Sequence, residues 1–518
     1  MANKDLFSSA AAAQPVADAI NLAGGRAYST TPQHALAQYA ATGCFGTTYY
    51  ATEREQLSWV LAACERVNAE SLAKTAVYAR ERGHMKDMPA LLLAVLAGRD
   101  GEWFVRAFDR VCDNARMLRN FVQIVRSGVT GRRSLGTRPK RMIRAWLDNR
   151  SDDAILRASV GADPSLADII KMVHPKPATA SRRALYGYLL GRPYDVSALP
   201  PLAAEYEAFK REPTGPVPNV PFQMLTQVKM PTPAWKTIAR NAGWQMTRMN
   251  LNTFLRHGVF EDPEMVDRVA ERLVCAEQIG RARALPYQLM VAHSAANSRL
   301  PSPLTDALRG AMELSVGKVP RTTGVVHVLI DVSGSMHNPA TGSRGSATSV
   351  VRCVDVAALM AAGLLRGNPK VQITPFHDRV VRCQLDADHT VMANAQRLAR
   401  LPSGGTDCSA PLRHLNKTKA KGDLVIFVSD NQSWIDKTRR WNPGTPVMTE
   451  WQAYKRRCRN ARLVCIDIQP YASTQAPDAP DVLNVGGFSD AVFDVIAAFA
   501  KGTLGTDHWT TQIDTIEL

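Results

Sequence analysis

Val325-Val326-His327-Val328-Leu329-Ile330-Asp331-Val332-Ser333-Gly334-Ser335 is the stretch whose reading decides the fold. An unbroken apolar run of this length, rich in β-branched residues, suits a strand buried on both faces. It stops at an aspartate followed by two serines. Runs of the same kind follow at VQITPF (371–376), LVIFVSD (424–430) and LVCIDI (463–468). Helical segments such as VVRCVDVAALMAAGLLR (350–366) and AVFDVIAAFAKG (491–502) separate or follow them. Strands alternating with helices predict a parallel, doubly wound sheet, so residues 321–518 are expected to form an α/β domain.

Upstream the pattern is different. Leu57, Val60, Leu61, Cys64 and Val67, then Met88, Leu91, Leu92, Val95 and Leu96, recur at helical offsets. The breaks between helices are short and polar (NAES, RGHMKD, GRDGE), which predicts antiparallel pairs stacked as an irregular α-solenoid. The Pro-rich stretch from Arg211 to Trp235 reads as a long connection, because each proline removes a donor and fixes φ. Helices resume to about Arg321. The expected organisation is a flexible segment at 1–20, an all-helical region at 21–320 and the α/β domain at 321–518.

Length and charge narrow the function. A chain of 518 residues is too long for one ordinary core, and 45% hydrophobic with 21% charged residues marks it as globular rather than disordered. Lysine and arginine number 63 against 47 acids, and the resulting net charge of +16 favours a polyanion, nucleic acid ahead of an anionic membrane. Nine cysteines with no C-x-x-C pair argue against a zinc cluster or a disulfide framework and fit a reducing, cytoplasmic setting. No leader and no membrane-spanning run is read, and a monomer is expected. Walker A, G-x-G-x-x-G, G-x-S-x-G and H-E-x-x-H strings are all missing, so nucleotide, hydrolase and zinc-protease readings lack their anchors.

The D-x-S-x-S at Asp331, Ser333 and Ser335 sits just past a strand's carboxyl end, where open α/β sheets bind ligands. Thr406 in GGTDCS and Asp430 at the end of another buried strand supply further oxygens. Five hard donors without imidazole or thiolate select Mg²⁺, Mn²⁺ or Ca²⁺. The bland alternative is that the serines only cap a nearby helix. The trio of segments resembles the metal-ion-dependent adhesion site of von Willebrand factor A domains. The stretch HNPATGSRGSATS after the motif is placed to alter access to the site.

Two basic features stand out. Between Gly131 and Arg150, Arg132, Arg133, Arg138, Lys140, Arg141, Arg144 and Arg150 face a single acid, Asp148, a patch on the scale of several phosphates, though an isolated charge run is otherwise a solvated helix face. Trp146 within it reads as core. The cluster Lys455-Arg456-Arg457 with Arg459 and Arg462 precedes a buried strand and reads as an ordinary solvated helix face.

Joined to the helical region, the A-like domain resembles the Ro autoantigen (TROVE) family, in particular its bacterial Ro-related members. The resemblance runs from Asn21 to Lys501 through FGTTYY (45–50), GTRPKRMIRAWL (136–147), IIKMVHPKP (169–177), MTRMNLNTFLRHGVFE (246–261), RARALPYQLMVA (281–292), DVSGSM, GGTDCS and SDNQSW. It implies a ring of HEAT-like helical repeats closed by the A domain. It also implies binding of misfolded or precursor non-coding RNA with the 3′ end entering the ring, and of Y-like RNA on an outer basic face. By motif, His174 and Lys176 fall beside the RNA path. Proline at 175 biases His174 towards extended backbone and away from a mid-helix position. The family's basic helix upstream of this histidine is matched here by Arg157 alone.

The expected function is therefore a non-catalytic RNA-binding scaffold in RNA quality control or maturation, reaching an exoribonuclease through a Y-like RNA. The alternative is an adaptor whose metal grips an acidic protein partner. A nuclease lacks a second carboxylate cluster and a general base.

Overall fold

The four apolar runs become neighbouring strands of one parallel sheet. Numbered in chain order, the strands are β1 (Ala19–Ile20), β2 (Arg26–Ser29), β3 (Val326–Asp331), β4 (Val371–Phe376), β5 (Leu424–Ser429), β6 (Arg462–Asp467), β7 (Ser473–Thr474) and β8 (Val482–Gly486). The computed structural model describes residues 15–43, 45–282, 286–316, 324–343, 350–368, 370–434, 444–487, 491–502 and 508–518. The sheet order is β4-β3-β5-β6-β8, with Val326 opposite both Val371 and Leu424 and Leu424 opposite Arg462. Every residue of β3 and β5 is buried, as strands covered by helices on both faces require. Leu329, Val425, Phe427, Leu463 and Cys465 share a core with Leu412, Met448, Trp451 and Tyr454 of the helices Ala410–Lys417 and Pro446–Lys455. Alternation along the strands turns Val328, Ile330, Ile426 and Val428 to the opposite face, and the helix Cys353–Gly367 packs on β3 and β4.

The chain divides into two compact units that do not follow contiguous boundaries. The first joins residues 1–59 and 285–291 to 312–510; the second holds 60–284, 292–311 and 511–518. This grouping differs from a simple division at residue 320, because β2 pairs antiparallel with β1 and with β7, placing the N-terminal hairpin in the α/β unit. Of the segment read as flexible, residues 1–14 lie outside the described residues and β1 occupies 19–20.

In the helical unit each helix packs on near neighbours in sequence. The helix Asp87–Arg99 meets Ala69–Glu81, Gly101–Val111 and Ala115–Arg126; Gly101–Val111 meets Thr137–Asp148, which meets Leu166–Val173. Neighbours on several sides explain why residues 88–94 of that helix are all buried rather than forming one stripe. Phe104, Phe108 and Phe121 meet at centroid distances of 5.6–5.7 Å and anchor this core. The Pro-rich stretch is not one long connection: it holds the short helix Phe222–Leu225, and Thr232–Asn241 begins inside it. A proline in a first helical turn gives up a donor that has no partner there anyway, so Pro233 starts a helix instead of breaking one. Among the described residues no helix is long and apolar enough to cross a membrane.

Candidate metal centre and basic surface

Asp331 ends β3 and Asp430 follows β5. With Ile330 paired to Val428, both carboxylates reach the carboxyl edge of the sheet on adjacent strands. The backbone N–H of Ser333 donates to Asp331 Oδ1 at 2.8 Å and Ser429 Oγ donates to Oδ2 at 2.6 Å. Ser333 and Ser335 hydroxyls lie 3.4 Å apart, and Asp430 accepts from Ser335. Gly334 N–H donates to Gly404 O at 3.0 Å, tying the motif to the loop that carries Thr406. The structure thus brings all five candidate ligands together, each buried. A cleft of about 420 Å³ opens above them, lined by Ser335, Thr406, Tyr49, Tyr50 and Trp434.

The electrostatics fit a cation. Burial, then the charge of Asp331, pushes the Asp430 carboxyl up to about 7; burial also pushes Asp331 up, against the pull of Ser429. Two carboxylates crowded in a dry site are stable together only if protonated or neutralised by a positive ion, and the surrounding donors are hydroxyls, the chemistry of a hard divalent cation. Among the described residues no three His, Cys, Asp or Glu side chains form a metal-holding group, and every cysteine is a free thiol. Zinc chemistry has no support here.

Residues far back in the chain build the walls. Asn21 Nδ2 donates to Ser433 O at 2.8 Å, Leu22 N–H donates to Gln432 Oε1 at 2.7 Å, and Gly25 lies flat against Ser433 O, where a Cβ would overlap it. Ser433 Oγ in turn donates to Thr406 O at 3.4 Å. The N-terminal hairpin therefore clasps the loop that follows Asp430 and, through Ser433, the loop of Thr406. Tyr50 reaches the cleft and its phenol hydrogen-bonds with Ser335; burial raises its pKa. The segment after the motif is pinned by pairing of Thr47 with Ser343, and residues 344–349 of it lie outside the described residues. None of Asn21, Gly25 or Tyr50 stood out as a site residue in sequence; the only signal was that Tyr50 lies in FGTTYY, one of the segments that carry the family resemblance.

In the helical unit the helix Thr137–Asp148 buries Pro139, Ile143, Trp146 and Leu147 and turns Arg138, Arg141 and Arg144 outward. Trp146 is core: its Nε1 donates to Cys112 O at 2.6 Å, and the Arg150 guanidinium lies 3.4 Å over its ring. The candidate cations divide into two sets. Arg132 donates to the carbonyls of Ala97 and Leu135, Arg144 to Val173 O and Arg157 to Asn219 O. The side chains of Arg133, Arg138, Lys140, Arg141 and Lys176 make no hydrogen bond or ion pair among the described residues. His174 is exposed, but its backbone is left-handed (φ 49, ψ 62) rather than extended, because it caps the helix Leu166–Val173 with its N–H on Ile170 O. The Arg144 to Val173 bond ends one residue before His174, so the basic helix and the His174–Lys176 corner are neighbours.

Residues 326–500 match the family model of the Ro60 vWA domain. The chain is 24% identical to the RNA-binding protein RO60 of Deinococcus radiodurans over 93% of this chain and 95% of that protein. It is 23% identical to the RNA-binding protein RO60 of Caenorhabditis elegans over 47% of this chain and 38% of that one. The crystal structure of the Deinococcus radiodurans Ro (RSR) protein superposes with a TM-score of 0.64 at 20% identity, covering 91% of this chain and all of the other.

Proposed function

We propose that this chain, similar over most of its length to an RNA-binding protein of the Ro family, is a non-catalytic RNA-binding protein that takes misfolded or precursor non-coding RNA and Y-like RNA, in RNA quality control or maturation in the cytoplasm. An exoribonuclease is reached through the RNA. The observation that carries this reading is the set of unpartnered cations on residues 133–141 beside the His174–Lys176 corner. Arginines and lysines without internal partners keep their charge available for phosphates. Replacing Arg133, Lys140 and Arg141 with alanine removes up to three phosphate contacts. The log–log salt slope of binding should shrink by about 2–3, with affinity falling for all RNAs alike. Changing His174 and Lys176 should weaken chiefly RNAs with a free 3′ tail. Filter binding of matched blunt and 3′-tailed hairpins at several salt concentrations reads both; an unchanged slope removes the helix from the interface, and equal losses on both hairpins remove the end-capture role.

In the α/β unit, Asp331, Ser333, Ser335, Thr406 and Asp430 would hold a Mg²⁺-class ion, with Mn²⁺ or Ca²⁺ as substitutes. A bound ion supplies a Lewis-acidic anchor for an acidic group of a protein partner entering the cleft between Tyr50 and Trp434. The Asn21–Gly25 turn positions the ligand loops. Gly25→Ala should lower Mn²⁺ affinity by about tenfold, near 1.4 kcal/mol. Asp18→Ala, which removes only the hydrogen bonds to Ser29, should leave it unchanged. Electron paramagnetic resonance titration makes the comparison, and equal affinities in wild type and Gly25→Ala would show that the clasp has no hold on the site.

A further inference from the structure

The cluster Lys455, Arg456, Arg457, Arg459 and Arg462 is not a uniform solvated helix face. Lys455 pairs with Asp481 at 3.2 Å and donates to Ala461 O, while Arg462 donates to Phe499 O at 2.6 Å. These two hold the fold together. Arg456 and Arg459 lie past the helix end, exposed, and their side chains make no hydrogen bond or ion pair among the described residues. A second basic segment joins them. Lys417, Lys419 and Lys421 precede β5; they are likewise exposed, and their ammonium groups have no partner among the described residues. Because β5 and β6 run parallel with Leu424 opposite Arg462, the two segments enter the sheet side by side.

Between them lies a cleft of about 290 Å³, whose lining includes Lys421, Asp423, Arg457, Cys458 and Arg459. Arg457 donates from Nη2 to Asn416 Oδ1 at 2.7 Å, yet its Nε is buried with no partner. Arg457 therefore belongs to the wall of the cleft, and the cations that the cleft offers to solvent are Lys421 and Arg459. Asp423 accepts from Val325 N–H at 2.9 Å, which directs that carboxylate to the fold. No large hydrophobic side chain is exposed on either segment among the described residues, so there is nothing to enter a bilayer and no ring to stack on a base.

We propose that this amino-edge cleft of the α/β unit is a second RNA contact, which binds backbone phosphates without sequence preference. It rests on the RNA-binding reading and extends it to the other unit. The surface lies at the opposite end of the strands from the metal ligands, about 20 Å away for six residues at roughly 3.3 Å each.

The test uses the full chain with Lys419, Lys421 and Arg459 changed to alanine; Arg457 is kept because it supports Asn416. Fluorescence anisotropy with a labelled 3′-tailed hairpin RNA should show a salt slope smaller by about 2–3, and the losses should add to those of the Arg133, Lys140 and Arg141 variant. In wild type, ultraviolet cross-linking should attach RNA to peptides covering 417–423 or 456–459, a readout independent of how the variant folds. A normal slope and no cross-link, while the helical variant still loses affinity, overturns this contact and leaves RNA binding by the helical unit standing. Loss in neither variant overturns both. If the substitutions abolish binding to phosphatidylserine vesicles and leave RNA binding intact, the surface belongs to a membrane and the proposal is wrong.

Discussion

Replacing Asp331 with alanine should abolish divalent-cation binding. The residue contributes one of only two carboxylates among the five ligands and is itself oriented by Ser429 and the Ser333 N–H. Without it, one carboxylate and three hydroxyls remain, too few anionic donors to strip a hydrated Mg²⁺. Saturating Mg²⁺ should stabilise the wild-type chain, by about 2.7 kcal/mol at a hundred times Kd, and the alanine variant not at all. The site's pH response has a definite sign. With its carboxyl at about 7 in the folded chain against an ordinary 3.8, Asp430 holds a proton that the unfolded chain has already released. The metal-free protein therefore loses stability as pH rises between those values. Cation binding weakens as pH falls below about 7, because proton and metal compete for the same oxygens. Calorimetric titration of both chains with Mg²⁺ at pH 6 and pH 8 decides it. Equal heats from the two proteins would sink the ligand assignment. RNA affinity should be nearly unaffected by Asp331→Ala, since the basic helix belongs to the other unit and the amino-edge cleft lies at the far end of the strands.

Trp146→Ala should be among the most damaging single changes in the helical unit, costing about 3–5 kcal/mol. It empties the space beneath the Arg150 guanidinium, leaves the Cys112 carbonyl without its donor and loosens the helix that carries the free cations. Thermal denaturation followed by circular dichroism measures the loss. A variant of normal stability that binds RNA poorly would instead make Trp146 a stacking platform.

How much of this was legible in the sequence depended on the range of the interaction. β3 to β6 could be read because each is a short run of apolar, largely β-branched residues bounded by polar loops, a local property. Two of the candidate ligands, Asp331 and Asp430, were legible for the same reason: each sits at the end of such a run, whereas Thr406 lies in the loop GGTDCS with no strand before it. β8 (VLNVG) escaped notice, with Asn484 at its centre and glycine behind it. The pairing of β2 with β7 has no local signature at all. The basic helix was visible as a patch, but its sorting into bound and free side chains was not. Arg132 and Arg144 donate to carbonyls near the ends of the helices Asp87–Arg99 and Leu166–Val173, and unpaired acceptors at a helix's end become visible only once the neighbouring helix is placed. His174 shows the same limit: capping overrode the preference that the following proline imposes.

The clasp between Asn21 and Ser433 spans 412 residues of chain. During synthesis at roughly 5–20 residues per second, the first strands leave the ribosome some 20–80 seconds before the loop they grip exists. In that interval the helical unit has all but its last few residues and can assemble, while the amino-terminal hairpin waits with Ala27 and Tyr28, buried in the finished fold, still uncovered. The α/β unit is therefore finished from both ends of the message. A chain that stalls before residue 433 carries an orphaned hairpin, an early-made edge of the kind that holding chaperones recognise.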